Sequence, residues 1–136
     1  MKFLAPLFFS LLTLASAILV EAGDGYSIET IPFPEGVPPE VGAIGFNPSG
    51  ELVVALRRSD VIIAKPTDDP KQFEWRLFAS GLHNACGMHV VSDREIIISQ
   101  MPELTRIVDT DGDGTADWYE TLNDSWGMSG NYHETN

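Results

Sequence analysis

Positive charge is scarce. Eight lysines and arginines stand against twenty aspartates and glutamates, a formal net charge of −12 over 136 residues. Phosphate recognition needs a cationic face, so nucleic acid is excluded as a main partner. Cysteine is nearly absent. Cys86 stands alone, so no internal disulfide can close. Set beside Ala85, Gly87 and Met88, that thiol reads as a small buried apolar side chain rather than a nucleophile. Long apolar runs are missing beyond the first twenty residues, and no membrane span remains once a leader there is removed. What is present suits a packed core: 43% of the residues are hydrophobic, which argues against disorder of the whole chain. Twelve glycines and nine prolines argue for many turns and against a helical bundle.

Residues 1–22 have the layout of a secretory signal. Lys2 is the positive region, 3–20 is apolar, and Val20-Glu21-Ala22 puts small residues at the −3 and −1 positions for cleavage. Ala15-Ser16-Ala17 is the second candidate, but it would leave Ile18-Leu19-Val20 on the mature end. The apolar stretch is about 18 residues, at the lower limit for a bilayer span, so a cleaved signal is expected. The chain is then exported, to a periplasmic or extracellular space. No cysteine near the cleavage site supplies a lipid anchor. Removal takes away Lys2 and Glu21 and leaves the net charge unchanged.

The rest of the chain is predicted to be all-β and repetitive. Residues 23–40 form an extended lead-in, with an extended run at 26–33. Strands are expected at 41–46, 51–56, 60–64 and 72–79, then at 86–91, 95–99, 104–108 and 118–122. In the fourth, Phe73, Trp75, Leu77 and Ala79 alternate onto one face. Glu51-Leu52-Val53-Val54-Ala55 aligns with Glu95-Ile96-Ile97-Ile98-Ser99 at an offset of 44, and Phe78 with Leu122 at the same offset. Trp75 falls one residue from Trp118 on that alignment. Four strands per roughly 40–45 residues is the period of a β-propeller blade, although evenly spaced hairpins of a sandwich give a similar pattern. The expected domain is therefore a partial β-propeller over 41–136. It has blades at about 41–82 and 86–126 and the start of a third at 127–136. Propellers close with at least about four blades, so the chain is expected to be the N-terminal fragment of a longer protein.

The sharpest local motif is Asp109-Thr110-Asp111-Gly112-Asp113-Gly114-Thr115-Ala116-Asp117. Calcium takes six to eight oxygens at about 2.3–2.6 Å. Alternating Asp109, Asp111 and Asp113 can turn three carboxylates toward one ion, and Gly114 permits the sharp turn after them. The Thr115 carbonyl falls at position 7, Asp117 at position 9 and Glu120 at position 12, where a bidentate carboxylate closes an EF-hand cage. The flanks read as strands rather than helices, which makes this a structural calcium loop between strands. Glu120 then need not reach back, leaving Asp109, Asp111, Asp113 and Asp117 as the principal ligands. Without a counter-ion, four carboxylates in nine residues would repel one another.

His83 and His89 flank Cys86 at metal-ligand spacing, but in a strand these three positions do not converge, and they read as packing or surface residues. His133 sits beside Glu134 after Gly127 and Gly130. Those glycines let backbone approach a ligand closely, and a histidine near its intrinsic pKa can take a proton at neutral pH.

Three stretches together resemble a known family. They are Gly81-Leu82 with Cys86-Gly87-Met88, then the run 103–114 ending in the acidic loop, then Trp126-Gly127-Met128-Ser129-Gly130-Asn131-Tyr132-His133-Glu134. They look like the N-terminal part of exported propeller proteins related to glucose/sorbosone dehydrogenases, the membrane-bound dehydrogenase-like type common in planctomycetes. The resemblance spans roughly 41–134. It implies a six-bladed propeller, with pyrroloquinoline quinone (PQQ) held on top with the help of calcium. It also implies a histidine base for a sugar or alcohol substrate, for which His133 is the match. Such a fragment is expected to be inactive alone, and its electron acceptor is unknown. The competing expectation is a non-catalytic, calcium-stabilised propeller that binds a protein or glycan partner, since fold does not imply function.

Overall fold

The computed structural model describes Gly25 and residues 27–101 and 103–126. The signal segment 1–22, the start of the third blade and His133 lie outside the described residues. Within them the fold is all-β, as expected, and contains no α-helix; the one helical turn is a 3-10 segment, Pro70–Gln72. No helix among these residues is long and apolar enough to cross a membrane.

Eight strands form two four-stranded antiparallel meanders. The first sheet orders β1 (Val41–Phe46), β2 (Leu52–Leu56), β3 (Val61–Lys65) and β4 (Glu74–Ala79). The second orders β5 (Gly87–Ser92), β6 (Glu95–Ser99), β7 (Leu104–Val108) and β8 (Trp118–Asn123). Branched side chains dominate β2, β3 and β6, where they suit a pleated, buried surface. In the β1–β2 turn the Gly50 amide donates to the Asn47 carbonyl at 2.9 Å. Gly50 has φ 81°, a left-handed conformation that glycine adopts without cost. The described lead-in residues, 27–40, join no sheet and turn at 35–36.

The two sheets repeat pair by pair. Val54 pairs with Ile62, and Ile98 pairs with Thr105, 44 and 43 residues further on. Ile44 opposite Val54 becomes Met88 opposite Ile98. Arg76 opposite Ile63 becomes Glu120 opposite Arg106. The β-bulges of the last hairpins also coincide, at Val61/Ile62 and at Leu104/Thr105, which puts Phe78 and Leu122 in equivalent places. The equivalent of Trp75 is Tyr119, since their partners Ala64 and Ile107 correspond. The bulge corrects one expectation: Trp75 packs on one face of the first sheet, whereas Phe78 and Ala79 both pack on the other. The extra residue breaks the period of two and re-aims the strand end.

Equivalent faces of the sheets do not meet each other. Val53, Ala55, Ile63 and Phe78 of the first sheet share a core with Ile96, Ile98 and Ile107 of the second. Ile96 and Ile98 correspond to Leu52 and Val54, which face the opposite way, under Phe33, Val37 and Trp75. The sheets therefore stack front to back. Their first strands, β1 and β5, come into direct contact. A Cβ on Gly42 would lie 1.8 Å from the Ala85 carbonyl oxygen, so only glycine permits this approach. Phe33 and Val37 of the lead-in cover the part of the far face of the first sheet around Val54, Ile62 and Trp75, while Ile44, Phe46 and Leu77 on that face stay exposed. Phe33 stacks on Trp75 with ring centroids 5.3 Å apart, and Trp75 Nε1 donates to the Pro32 carbonyl at 3.0 Å.

Candidate metal centre

The acidic loop joins β7 to β8, and its ends are closed by the sheet. Asp117 donates its amide to the Val108 carbonyl at 3.0 Å, and Asp109 donates its own to the Arg94 carbonyl at 2.9 Å. Within that frame each aspartate folds the chain around its own carboxylate. Asp109 accepts from the amides of Gly112 at 2.6 Å and Gly114 at 3.0 Å. Asp111 accepts from the Asp113 amide, and Asp113 from the Thr115 amide. Gly112 and Gly114 have φ of 85° and 93°, the left-handed region that such a tight coil requires.

The result is a convergent carboxylate set. Asp109, Asp111 and Asp113 each offer an oxygen within 4.8 Å of the other two. Oxygens bound about 2.3–2.6 Å from one calcium ion lie at most about 5 Å apart, so the set fits a hard divalent cation. Asp109 is buried, while Asp111 and Asp113 are exposed. Burial by itself would raise the Asp109 pKa. The Gly112 and Gly114 amides and the Arg94 charge outweigh it and hold the carboxyl below its ordinary value.

The other expected ligands are placed differently. Asp117 accepts from the Thr110 hydroxyl at 2.6 Å and the Thr110 amide at 2.7 Å, which lower its pKa. Thr115 lies in the loop, its amide on Asp113. Glu120 stands on β8, where it accepts from Arg106 Nη1 at 3.2 Å; it is not one of the convergent set. His83 and His89 are exposed and gather with no other ligand type among the described residues. Cys86 is exposed, against the expectation of a small buried side chain; the chain there is crossing from the first sheet to β5.

Two cations that the motif does not announce brace the loop. Arg94, from the β5–β6 turn, donates from Nε to the Asp109 carbonyl at 3.0 Å, and its Nη2 lies 3.7 Å from the Asp109 carboxylate. Arg76, from the first sheet, donates to the Gly114 carbonyl at 2.7 Å. The Ala116 amide also donates to the Phe78 carbonyl, at 2.6 Å. The loop is thus a seam between the sheets. The only sequence signal for these partners is the excess of loop carboxylates.

The model of one protein family, described as Domain of unknown function (DUF7133), matches residues 28–136. The chain belongs to the DUF7133 family. The match takes in both sheets, the acidic loop and the run that contains His133. No curated protein and no solved structure matches the chain.

PQQ, with its three carboxylates, would need converging cations. Two cavities among the described residues are one of about 480 Å³ beside Ser49 and Lys65 and one of about 280 Å³ beside Val37 and Arg76. Each is lined by a single cationic side chain. Neither of these two cavities offers the converging cations that the quinone carboxylates would need.

Proposed function

We propose that this DUF7133 chain forms consecutive blades of an exported β-propeller, and that its acidic loop holds a structural calcium ion. The observation that carries the calcium reading is the convergence of Asp109, Asp111 and Asp113 within 4.8 Å. Front-to-back stacking of two equivalent four-stranded sheets supports the propeller reading, because radial repetition packs each blade on the opposite face of its neighbour. The ion would offset the loop's negative charge and fix the seam through which Arg76 and Ala116 tie the sheets together. In this role the protein is a scaffold for a protein or glycan partner.

The test is urea unfolding with and without calcium. Calcium at one hundred times its dissociation constant adds about 2.7 kcal/mol if it binds only the folded chain. An Asp111→Ala/Asp113→Ala variant is expected to lose that response. A wild-type chain with no calcium response overturns the reading.

A second reading is the quinone-dependent sugar or alcohol dehydrogenase, with His133 as base. It rests on the resemblance of the acidic run and of Trp126–Glu134 to the sugar dehydrogenases, and it draws nothing from the family match or from the described cavities. Incubating the longest natural chain that carries this domain with PQQ and calcium tests it. Absence of both quinone absorbance and sugar-dependent dye reduction removes it.

A further inference from the structure

One face of the second sheet is open where its equivalent is buried. In the first sheet Val53, Ile63, Val61 and Phe78 are at most 1% exposed, because the second sheet covers them. Their equivalents are Ile97, Arg106, Leu104 and Leu122. The first three are half-buried and Leu122 is 43% exposed. Trp118, on the same face by register, is also exposed. Among the described residues no hydrophobic core cluster forms on this face.

The occupant is indicated by the interface already formed. What covers the first sheet is the Ile96, Ile98 and Ile107 face of a sheet with the same register. We propose that the Ile97–Leu122 face receives a third four-stranded sheet of the same repeat, on the same polypeptide, packed as the second packs on the first. This rests on the stacked-repeat reading above and not on the calcium reading.

The chemistry of the partner face follows from the equivalences. Opposite Ile97 and Leu122 it presents a branched aliphatic row, as Leu52, Val54 and Ile62 do in the first sheet and Ile96 and Ile98 in the second. Arg76 spans Glu51, at 3.1 Å, and the next sheet's loop at the Gly114 carbonyl. In the second sheet Arg106 holds Glu95, the equivalent of Glu51, at 2.6 Å. Its guanidinium stands at the same site from the neighbouring strand. The third sheet therefore brings a carbonyl or carboxylate of its own last-hairpin loop to Arg106. Once covered, the Glu95–Arg106–Glu120 group is an ion cluster whose members remain mutually paired, as burial requires.

The experiment extends the chain after Trp126 with a second copy of residues 83–126. Hydrogen exchange of the original β6 and β7 amides is expected to slow in the extended chain. Ile97→Asp in the original sheet is expected to restore the faster exchange and to lower the urea midpoint of the extended chain severalfold more than that of the 136-residue chain. Equal midpoint shifts in the two chains, or unchanged exchange on extension, overturn the proposal. Ile63→Asp separates the two levels of argument. If it leaves both chains intact, the stacked-repeat reading itself has failed. If it unfolds both while Ile97→Asp has no added effect in the extended chain, only the docking face has failed.

Discussion

Ser49 and Asp93 stand 44 residues apart and are joined by two hydrogen bonds. The Ser49 amide donates to Asp93 Oδ1 at 3.0 Å, and its hydroxyl donates to Oδ2 at 2.7 Å. They occupy corresponding turns, β1–β2 and β5–β6, of successive sheets. The repeat therefore contacts itself at equivalent points, and the next residue, Arg94, reaches from the same turn to the acidic loop. One short turn couples the front of the first sheet to the candidate metal centre.

Removing that link has a readable cost. Each hydrogen bond contributes about 0.5–1.5 kcal/mol net, with exposed bonds at the low end. Asp93→Ala, which removes both bonds, is expected to destabilise the chain by about 1 kcal/mol, and Ser49→Ala, which keeps the amide bond, by about half as much. The double variant is expected to cost little more than Asp93→Ala alone, because Asp93→Ala already removes the hydroxyl bond that Ser49→Ala removes. Urea melts of the four chains measure the coupling; strict additivity would mean that the turns do not interact in solution.

Phe78 and Leu122 occupy equivalent bulges in opposite circumstances. Phe78 is fully buried between the sheets, and Leu122 is exposed. Phe78→Ala is expected to cost about 3–5 kcal/mol through lost burial and the cavity left behind. Leu122→Ala is expected to stay within about 0.5 kcal/mol in the 136-residue chain. Thermal or urea unfolding of the two variants checks the contrast.

These equivalences also show what the sequence could and could not disclose. The strands at 95–99 and 104–108 are legible to the residue because branched runs stop abruptly at polar turns. The offset of 44 is legible because both sheets use the same hairpin spacing. Ala79 lies on the opposite face from the one its alternation with Trp75 predicts, since a bulge depends on the partner strand and leaves no local mark in β4. At the candidate site the three convergent aspartates are legible from their alternation. The tie of Glu120 to Arg106 is not, because it arises from cross-strand register. Arg76 and Arg94 reach the loop from 38 and 15 residues away, and no local pattern encodes such contacts.

Gly42 tests the closeness of the two sheets at their first strands. An alanine Cβ there would meet the Ala85 carbonyl oxygen at 1.8 Å, and backbone cannot yield as a side-chain tip can. Gly42→Ala is expected to cost about 1–3 kcal/mol, the range for overpacking. It is also expected to disturb amides near Ala85 more than those of β8 in hydrogen exchange. An unchanged melt would mean that β1 and the chain leading into β5 are further apart than described.

Acid should loosen the same seam. Asp109, Asp117 and Glu95 all have pKa values below the ordinary carboxylate range. For Asp109 burial opposes the shift, but the Gly112 and Gly114 amides prevail; Asp117 is lowered by Thr110, and Glu95 by its hydrogen bond from Arg106. A carboxyl with a lowered folded-state pKa binds its proton more readily in the unfolded chain. Its stabilisation is complete above the unfolded value, near pH 4, and is lost as pH falls through the lower folded value. Urea midpoints are therefore expected to be flat between pH 7 and about pH 5 with respect to these groups, and to fall below about pH 4. Asp117→Asn removes one of the three titrations and is expected to make the acid limb shallower while lowering the plateau at neutral pH. A limb of unchanged steepness in that variant would assign the acid sensitivity to other carboxylates.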